Sequence, residues 1–164
     1  MIRHAVFAIA ASFAFCAPAW AADRGPVTNL PMPRYVSLKA AEGNVRRGPS
    51  LSHRIDWVFK HRNMPLQIVA EHGHWRRVVD SEGAGGWVHY SLLSGSRFVR
   101  VEEDLAPLYR KADPSSDPVA YAEAGVIARL GSCETSLCKI TVNGTRGWVA
   151  RDQVWGILPD EVRD

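Results

Sequence analysis

An all-β chain of two small units in tandem is what this 164-residue sequence predicts, on three observations. First, Gly86-Trp87-Val88 recurs as Gly147-Trp148-Val149 with related neighbours, so that Gly86 to Leu93 lies over Gly147 to Val154. Upstream, Trp75-Arg76-Arg77-Val78 lies over Leu137-Cys138-Lys139-Ile140 with a shift of one residue, as a length change in a hairpin would produce. Two copies are too few for a solenoid and fit duplicated domains. Second, four- to six-residue runs rich in β-branched and aromatic side chains alternate with turn chemistry, at the spacing of a small barrel or sandwich. Third, Asn143-Gly144 between two such runs is a strong two-residue hairpin signal. Asn143-Gly144-Thr145 also matches a glycosylation sequon, but the turn reading is preferred.

The elements follow in order. Arg3 and His4, an apolar run from Ala5 to Ala17 and the small-x-small site Ala19-Trp20-Ala21 predict a cleaved signal peptide over residues 1–21. The run is too short to span a bilayer comfortably, and no later stretch approaches the roughly 20 apolar residues a span requires, so no transmembrane segment is expected. Cys16 follows bulky Phe15, where a lipidation site wants a small residue. The mature chain should begin near Ala22 and be periplasmic or secreted. Residues 22–33, with Pro26, Pro31 and Pro33, read as an extended linker.

Repeat one is assigned to residues 34–97, with strands expected at Tyr35 to Leu38, at Glu42 to Arg46 before the Gly48-Pro49 turn, and at Arg54 to Phe59, Leu66 to Ala70, Trp75 to Asp80 and Trp87 to Tyr90. Glu71-His72-Gly73-His74 and Ser81 to Gly85 carry turn chemistry. Repeat two is assigned to residues 98–158, through Pro107 to Tyr109, Val119 to Tyr121, Val126 to Leu130, Cys138 to Val142 and Trp148 to Ala150, with a tail at 159–164. Each unit is near the smallest self-supporting size, with a thin core.

Once the signal peptide is removed, Cys133 and Cys138 are the cysteines that remain. In an oxidising compartment they are expected to form a disulfide, with metal binding and redox chemistry as the alternatives. Charge is uneven: Arg34 to Phe98 holds ten Lys and Arg against five Asp and Glu, while Val99 to Asp164 holds eight against eleven. Either these are two solvated surfaces, or the first repeat meets an anionic partner. Nucleic acid is not expected, because the signal peptide sends the chain elsewhere.

Asn44-Val45-Arg46 followed by Gly48-Pro49, then Trp75-Arg76-Arg77-Val78, then Gly86-Trp87-Val88 and Leu92-Leu93 resemble the bacterial SH3-like domain of exported proteins. The match runs closely over Tyr35 to Ser94 and more loosely over Leu105 to Trp155. Repeat two departs from it, with Pro107-Leu108-Tyr109-Arg110 in place of the Asn-Val-Arg and Gly-Pro signature and Leu137 where Trp75 stands. The resemblance implies two tandem SH3-like β-barrels of five or six strands that bind peptides, cell-wall polymer or partner proteins. Such domains often accompany cell-wall hydrolases, and this sequence contains no hydrolase domain.

A site for anionic, sugar-bearing wall polymer would combine aromatic faces with guanidinium groups. Repeat one offers Trp57, Trp75, Trp87 and Tyr90 beside Arg46, Arg47, Arg76 and Arg77. Strand alternation puts Val88 and Tyr90 on one side and Trp87 and His89 on the other, with Val78 grouped with Arg76 and Trp75 with Arg77. Because Val149 repeats Val88, valine is taken as core and Trp87 and Trp148 as surface or inter-repeat packing. For each Trp, core packing and binding both stay open. The expected ligand-binding set is Arg46, Trp57, Trp75, Arg76, Arg77, Trp87 and Tyr90.

His53, His61, His72, His74 and His89 all fall in repeat one, where at acid pH they would add positive charge. His72 and His74 flank Gly73 in a turn and have no cysteine nearby, so no metal site is expected. Ser91, Ser94 and Ser96 lack a nucleophile-elbow context, and no paired carboxylates or His-Glu-x-x-His pattern occurs. The acids between Glu102 and Asp117 read as the connection into repeat two. No catalytic residues and no cofactors are expected. The partner is expected to be peptidoglycan or its peptide stems, or else an envelope protein.

Overall fold

The computed structural model describes residues 23–164; the expected signal peptide lies outside the described residues. The first repeat contributes β1 (Arg34–Leu38), β2 (Gly43–Arg46), β3 (Ile55–Phe59), β4 (Pro65–His72), β5 (Trp75–Val79), β6 (Gly85–His89) and β7 (Leu93–Ser94). The second contributes β8 (Phe98–Val101), β9 (Ala106–Tyr109), β10 (Pro118–Ala122), β11 (Ile127–Cys133), β12 (Leu137–Val142), β13 (Thr145–Ala150) and β14 (Val154–Trp155). Short 3₁₀ turns, Tyr90–Leu92 and Arg151–Gln153, precede β7 and β14. The two antiparallel sheets run β3-β2-β6-β5-β4-β1-β7 and β10-β9-β13-β12-β11-β8-β14, so the second copies the first strand for strand. The expected all-β tandem of two small units is therefore what forms, with seven strands in each sheet where five or six were expected.

The recurring tripeptide has a physical role at each residue. An added Cβ on Gly86 would sit 2.7 Å from the Arg46 carbonyl oxygen, and one on Gly147 would sit 2.6 Å from the Leu108 Cβ, so glycine is what lets β2 and β9 cross closely. Val88 and Val149 are fully buried, while Trp87 and Trp148 point to the opposite face and are half-buried. The one-residue shift lies in the adjoining hairpins. Beyond the Val79–Gly85 pair lie five residues, Asp80 to Ala84, whereas beyond the equivalent Thr141–Arg146 pair lie four, 142–145. Asn143 (φ 48°) and Gly144 (φ 86°) form the tight turn the sequence signalled. Around these crossings Leu38, Val45, Phe59, Leu66, Ile68, Val78 and Val88 make the core of the first repeat. Val99, Val101, Leu108, Leu130, Ile140 and Val149 lie in the core of the second.

Three short strands, β7, β8 and β14, were not anticipated; β8 and β14 extend the second sheet beside β11. β4 also continues through Glu71 and His72, where turn chemistry was read, and the chain reverses through Gly73 (φ 50°) and His74. This extension places Glu71 opposite Arg76, in the register that Cys133 and Cys138 hold in the second repeat. There the expected disulfide is formed, Sγ to Sγ 2.02 Å. In the first repeat, a buried ion pair occupies the same position, Arg76 Nε to Glu71 Oε1 at 3.5 Å.

Glu71 also corrects the linker. Residues 23–33 fold back as a loop closed by Gly25 N–H to Leu30 O at 2.8 Å and Met32 N–H to Asp23 O at 2.7 Å. The loop closes on the carboxylate. Val27 and Thr28 N–H donate to Glu71 Oε2 at 3.1 and 2.9 Å, and the Thr28 hydroxyl and Arg34 Nη2 donate to Oε1 at 2.7 and 2.6 Å. A buried carboxylate needs donors on every lone pair, and the loop supplies those the barrel lacks. The tail is held in the equivalent place: Cys133 and Arg163 exchange backbone hydrogen bonds of 2.7 and 3.1 Å, and Arg151 grips the Leu158, Pro159 and Glu161 carbonyls.

The repeats pack on each other. Tyr35 of β1 meets Trp155 of β14 edge to face, centroids 5.0 Å apart, with Arg97 over the tyrosine ring at 5.7 Å. Arg97 is itself clamped by both Glu161 oxygens, at 2.6 and 2.9 Å. Within the first repeat, the Ser37 hydroxyl donates to Ser96 O at 2.8 Å, fixing the segment that leads into the second. Burial raises the Tyr35 pKa despite the nearby guanidinium.

Burial alone would raise the Glu71 pKa, but its donors from Thr28, Arg34 and Val27 bring it from 4.5 down to about 2. Because the folded value lies below the unfolded one, this stabilisation is complete above about pH 4.5 and is lost as pH falls toward 2. The Val27 and Thr28 amide resonances are expected to titrate near that lower value. Glu71→Ala should cost roughly 3–5 kcal/mol in urea unfolding, the usual result of stranding one buried charge. Reducing Cys133–Cys138 should cost about 2 kcal/mol by the chain-entropy relation, with intact mass rising by two hydrogens.

Candidate functional site

The seven residues predicted to bind ligand do not converge on one surface. Trp75 and Arg76 are interior, only 9 % and 7 % exposed. Arg76 follows the predicted alternation, sharing the core side with Val78, and its Nη1 donates to the Gly73 and Trp75 carbonyls, 2.8 Å each. With Glu71 beside it, this guanidinium is enclosed within the fold. Trp75 departs from the alternation: at the mouth of the β4–β5 hairpin its indole is covered edge-on by His89, centroids 5.4 Å apart. Both are buried, unlike the exposed position the expected set assumed for them.

Arg46, Trp87 and Arg77 do come together. Arg77 faces Trp87 across β5 and β6, and Trp87 faces Arg46 across β6 and β2. The three form one row on the outer face of the sheet, opposite the core side chains Val45, Val78 and Val88. Arg77 is exposed and makes no side-chain hydrogen bond among the described residues. Arg46 keeps one arm on the next loop, its Nη1 donating to Leu51 O at 3.0 Å and His53 O at 2.7 Å. Arg47 sits beyond that loop and shares Asp56 with Arg54, at 3.0 and 2.6 Å, and those hydrogen bonds lower the Asp56 pKa. In the second repeat the equivalent row is Lys139, Trp148 and Tyr109, with Lys139 Nζ 5.9 Å from the indole centroid.

Trp57 lies apart, on the terminal strand β3, where it is 54 % exposed because no strand flanks it on that side. It borders a concavity of about 300 Å³ with Lys60, His61 and Met64, closed by Ser81 and Glu82 of the β5–β6 loop and by Arg100 of the second repeat. Arg100 is held there by Ser81 Oγ at 3.0 Å and Glu82 Oε1 at 3.4 Å. Sequence reasoning missed Lys60, His61 and Arg100. The first two lie three and four residues after Trp57, but nothing local signals that Arg100 reaches back across the repeats. Tyr90 stands elsewhere again, half-exposed and stacked with His74 and His89 at 5.6 and 5.0 Å.

The His89 and Ser91 side chains meet at 2.7 Å, but His89 Nδ1 also accepts the Ser91 N–H at 3.4 Å, which makes the contact a cap for the 3₁₀ turn. Among the described residues no group of three or more His, Cys, Asp or Glu is placed to hold a metal ion, and no helix is long and apolar enough to cross a membrane.

Comparison with known proteins places these surfaces in a family. Residues 39–95 and 102–156 each match the bacterial SH3 domain. No curated protein matches. Among solved structures, NlpC2 from Trichomonas vaginalis is similar at 12 % identity over 76 % of this chain and 48 % of that one, with a TM-score of 0.35. NlpC1 from the same organism is similar at 12 % identity over 80 % of this chain and 48 % of that one, also with a TM-score of 0.35. The chain thus spans about half the length of each. With both sheets sharing one strand order and both segments matching one domain, the chain belongs to the bacterial SH3 domain family, in two tandem copies.

Proposed function

We propose that this protein is an exported, non-enzymatic binding module of the cell envelope that recognises peptidoglycan or its peptide stems through the outer face of repeat one. The observation that carries this reading is the Arg77–Trp87–Arg46 row, an indole flanked by two guanidinium-bearing residues on an open sheet face. An indole gives a flat surface for the apolar face of a sugar or a peptide stem, and an unpaired Arg grips a carboxylate in two places. The excess of Lys and Arg over Asp and Glu in this half of the chain would draw an anionic polymer toward the same face.

A second reading, a protein-interaction module of the envelope, is favoured by β3. This strand ends the sheet and leaves Ile55 and Trp57 exposed beside unpaired backbone, the arrangement to which an extended peptide adds as a further strand.

Co-sedimentation of the purified protein with purified peptidoglycan, at low and physiological salt, tests the first reading. Saturable binding is expected, weakened at least about tenfold in Trp87→Ala/Arg77→Ala, a loss of about 1.4 kcal/mol. Absence of binding at both salts, or equal binding by the folded variant, would overturn it. The second reading instead expects one envelope protein to be captured stoichiometrically and released by Trp57→Lys. The two neighbouring arginines should separate cleanly. Arg76→Ala should cost roughly 1–3 kcal/mol of stability by leaving the Gly73 and Trp75 carbonyls without their buried donor, whereas Arg77→Ala on the surface should stay within about 0.5 kcal/mol while weakening binding.

A further inference from the structure

The acidic half of the chain carries a basic concavity that the wall-binding face does not include. A hollow of about 390 Å³ on the outer face of the second sheet is lined by Arg129, Leu130, Gly131, Lys139, Thr141 and Arg146. Arg129 on β11 and Arg146 on β13 both lie in register with Thr141 on β12 between them. Two strand spacings set their Cα atoms about 10 Å apart, and Lys139 stands about 7 Å along β12 on the same face. Three cationic residues thus stand on one face around Thr141, with the Lys139 ammonium 5.9 Å from the Trp148 ring centroid at the edge of the group. Among the described residues none of the three meets a carboxylate within ion-pairing distance or donates a side-chain hydrogen bond. Arg100 and Arg151 in this half are committed, Arg100 to Glu82 and Glu102 and Arg151 to backbone carbonyls.

The hollow is particular to the second repeat. At the positions equivalent to Arg129 and Arg146, the first repeat has Gln67 and Gly85, as the register with Val79 shows. Where Gly131 follows core residue Leu130, the first repeat has Val69 after Ile68, and that valine is 38 % exposed on the same face. The second repeat therefore has two cations and a glycine where the first has Gln67, Gly85 and Val69. An added Cβ at Gly131 would already lie 3.1 Å from the Lys139 carbonyl oxygen.

The geometry points to a binding site for the phosphate group of a soluble phosphate ester, held by Arg129, Lys139 and Arg146 with Thr141 at its centre. Three converging cations exceed what one carboxylate can use, whereas a phosphate presents a dianion with three peripheral oxygens to forked donors. A lipid surface would need apolar side chains to insert beside the cations. None of the exposed large apolar residues lines this hollow. The site stands on repeat two and does not depend on the wall-binding reading.

The test is a titration of the purified protein, followed by amide resonances, with inorganic phosphate and with acetate at matched ionic strength. Phosphate is expected to shift Gly131, Lys139 and Thr141 saturably and to bind at least about tenfold more tightly than acetate. Arg129→Gln/Arg146→Gln should lose this binding. So should Gly131→Val, which keeps every charge and fills the hollow; thermal melts confirm that both variants fold. Equal affinity for acetate, shifts that map elsewhere, or retained binding in the folded double variant would overturn the site. Undiminished binding in folded Gly131→Val would reduce it to diffuse charge, which also overturns it. Binding to phosphatidylglycerol vesicles that inorganic phosphate fails to compete would assign the cations to a membrane, and self-association dispersed by phosphate would assign them to a second copy; either result overturns the ester.

Discussion

The close crossing of β2 over Gly86, repeated by β9 over Gly147, is the constraint from which the rest of this structure follows. A side chain at either glycine would collide with the neighbouring strand, β2 or β9, that pairs there. The crossing then dictates its neighbours. The next residue must face out and the one after it must face in, which is why tryptophan and valine follow each glycine and why the tripeptide survives in both copies. The outward indole is placed by the same geometry that closes the core, so the proposed binding face and the fold share a single origin.

Much of this was legible in the chain. Val88 and Val149 as core, Trp87 and Trp148 as outward, the Asn143-Gly144 turn and the Cys133–Cys138 bridge are all set by local periodicity or spacing. What was not legible depends on partners distant in sequence. Residues 23–33 read as linker because proline-rich runs carry no strand period, yet their amides are drawn to a carboxylate more than forty residues away. Arg76 looked like a surface grip because arginine in a basic domain normally is one. Its burial follows only once Glu71 is known to stand opposite it. Strands β7 and β14, two residues each, are too short to have any period at all.

The site was partly legible for the same reason. Alternation placed Arg77 and Trp87 outward, and register brought Arg46 beside them. Alternation failed for Trp75, since a residue beside a hairpin turn is covered by what stacks on it and not by the sheet it belongs to. The hollow between Arg129 and Arg146 was obscured by composition. Averaged over its length the second half is acidic, and net charge conceals cations that the register gathers onto one face.

The hairpin that joins the fourth and fifth strands of each copy is closed by charge in one and by sulfur in the other, at matching positions. One copy therefore completes its closure on folding alone, in any redox poise, whereas the other must wait for an oxidant. A chain leaving a reducing compartment for an oxidising one would carry its first half finished and its second half unfinished, and the covalent step would mark arrival.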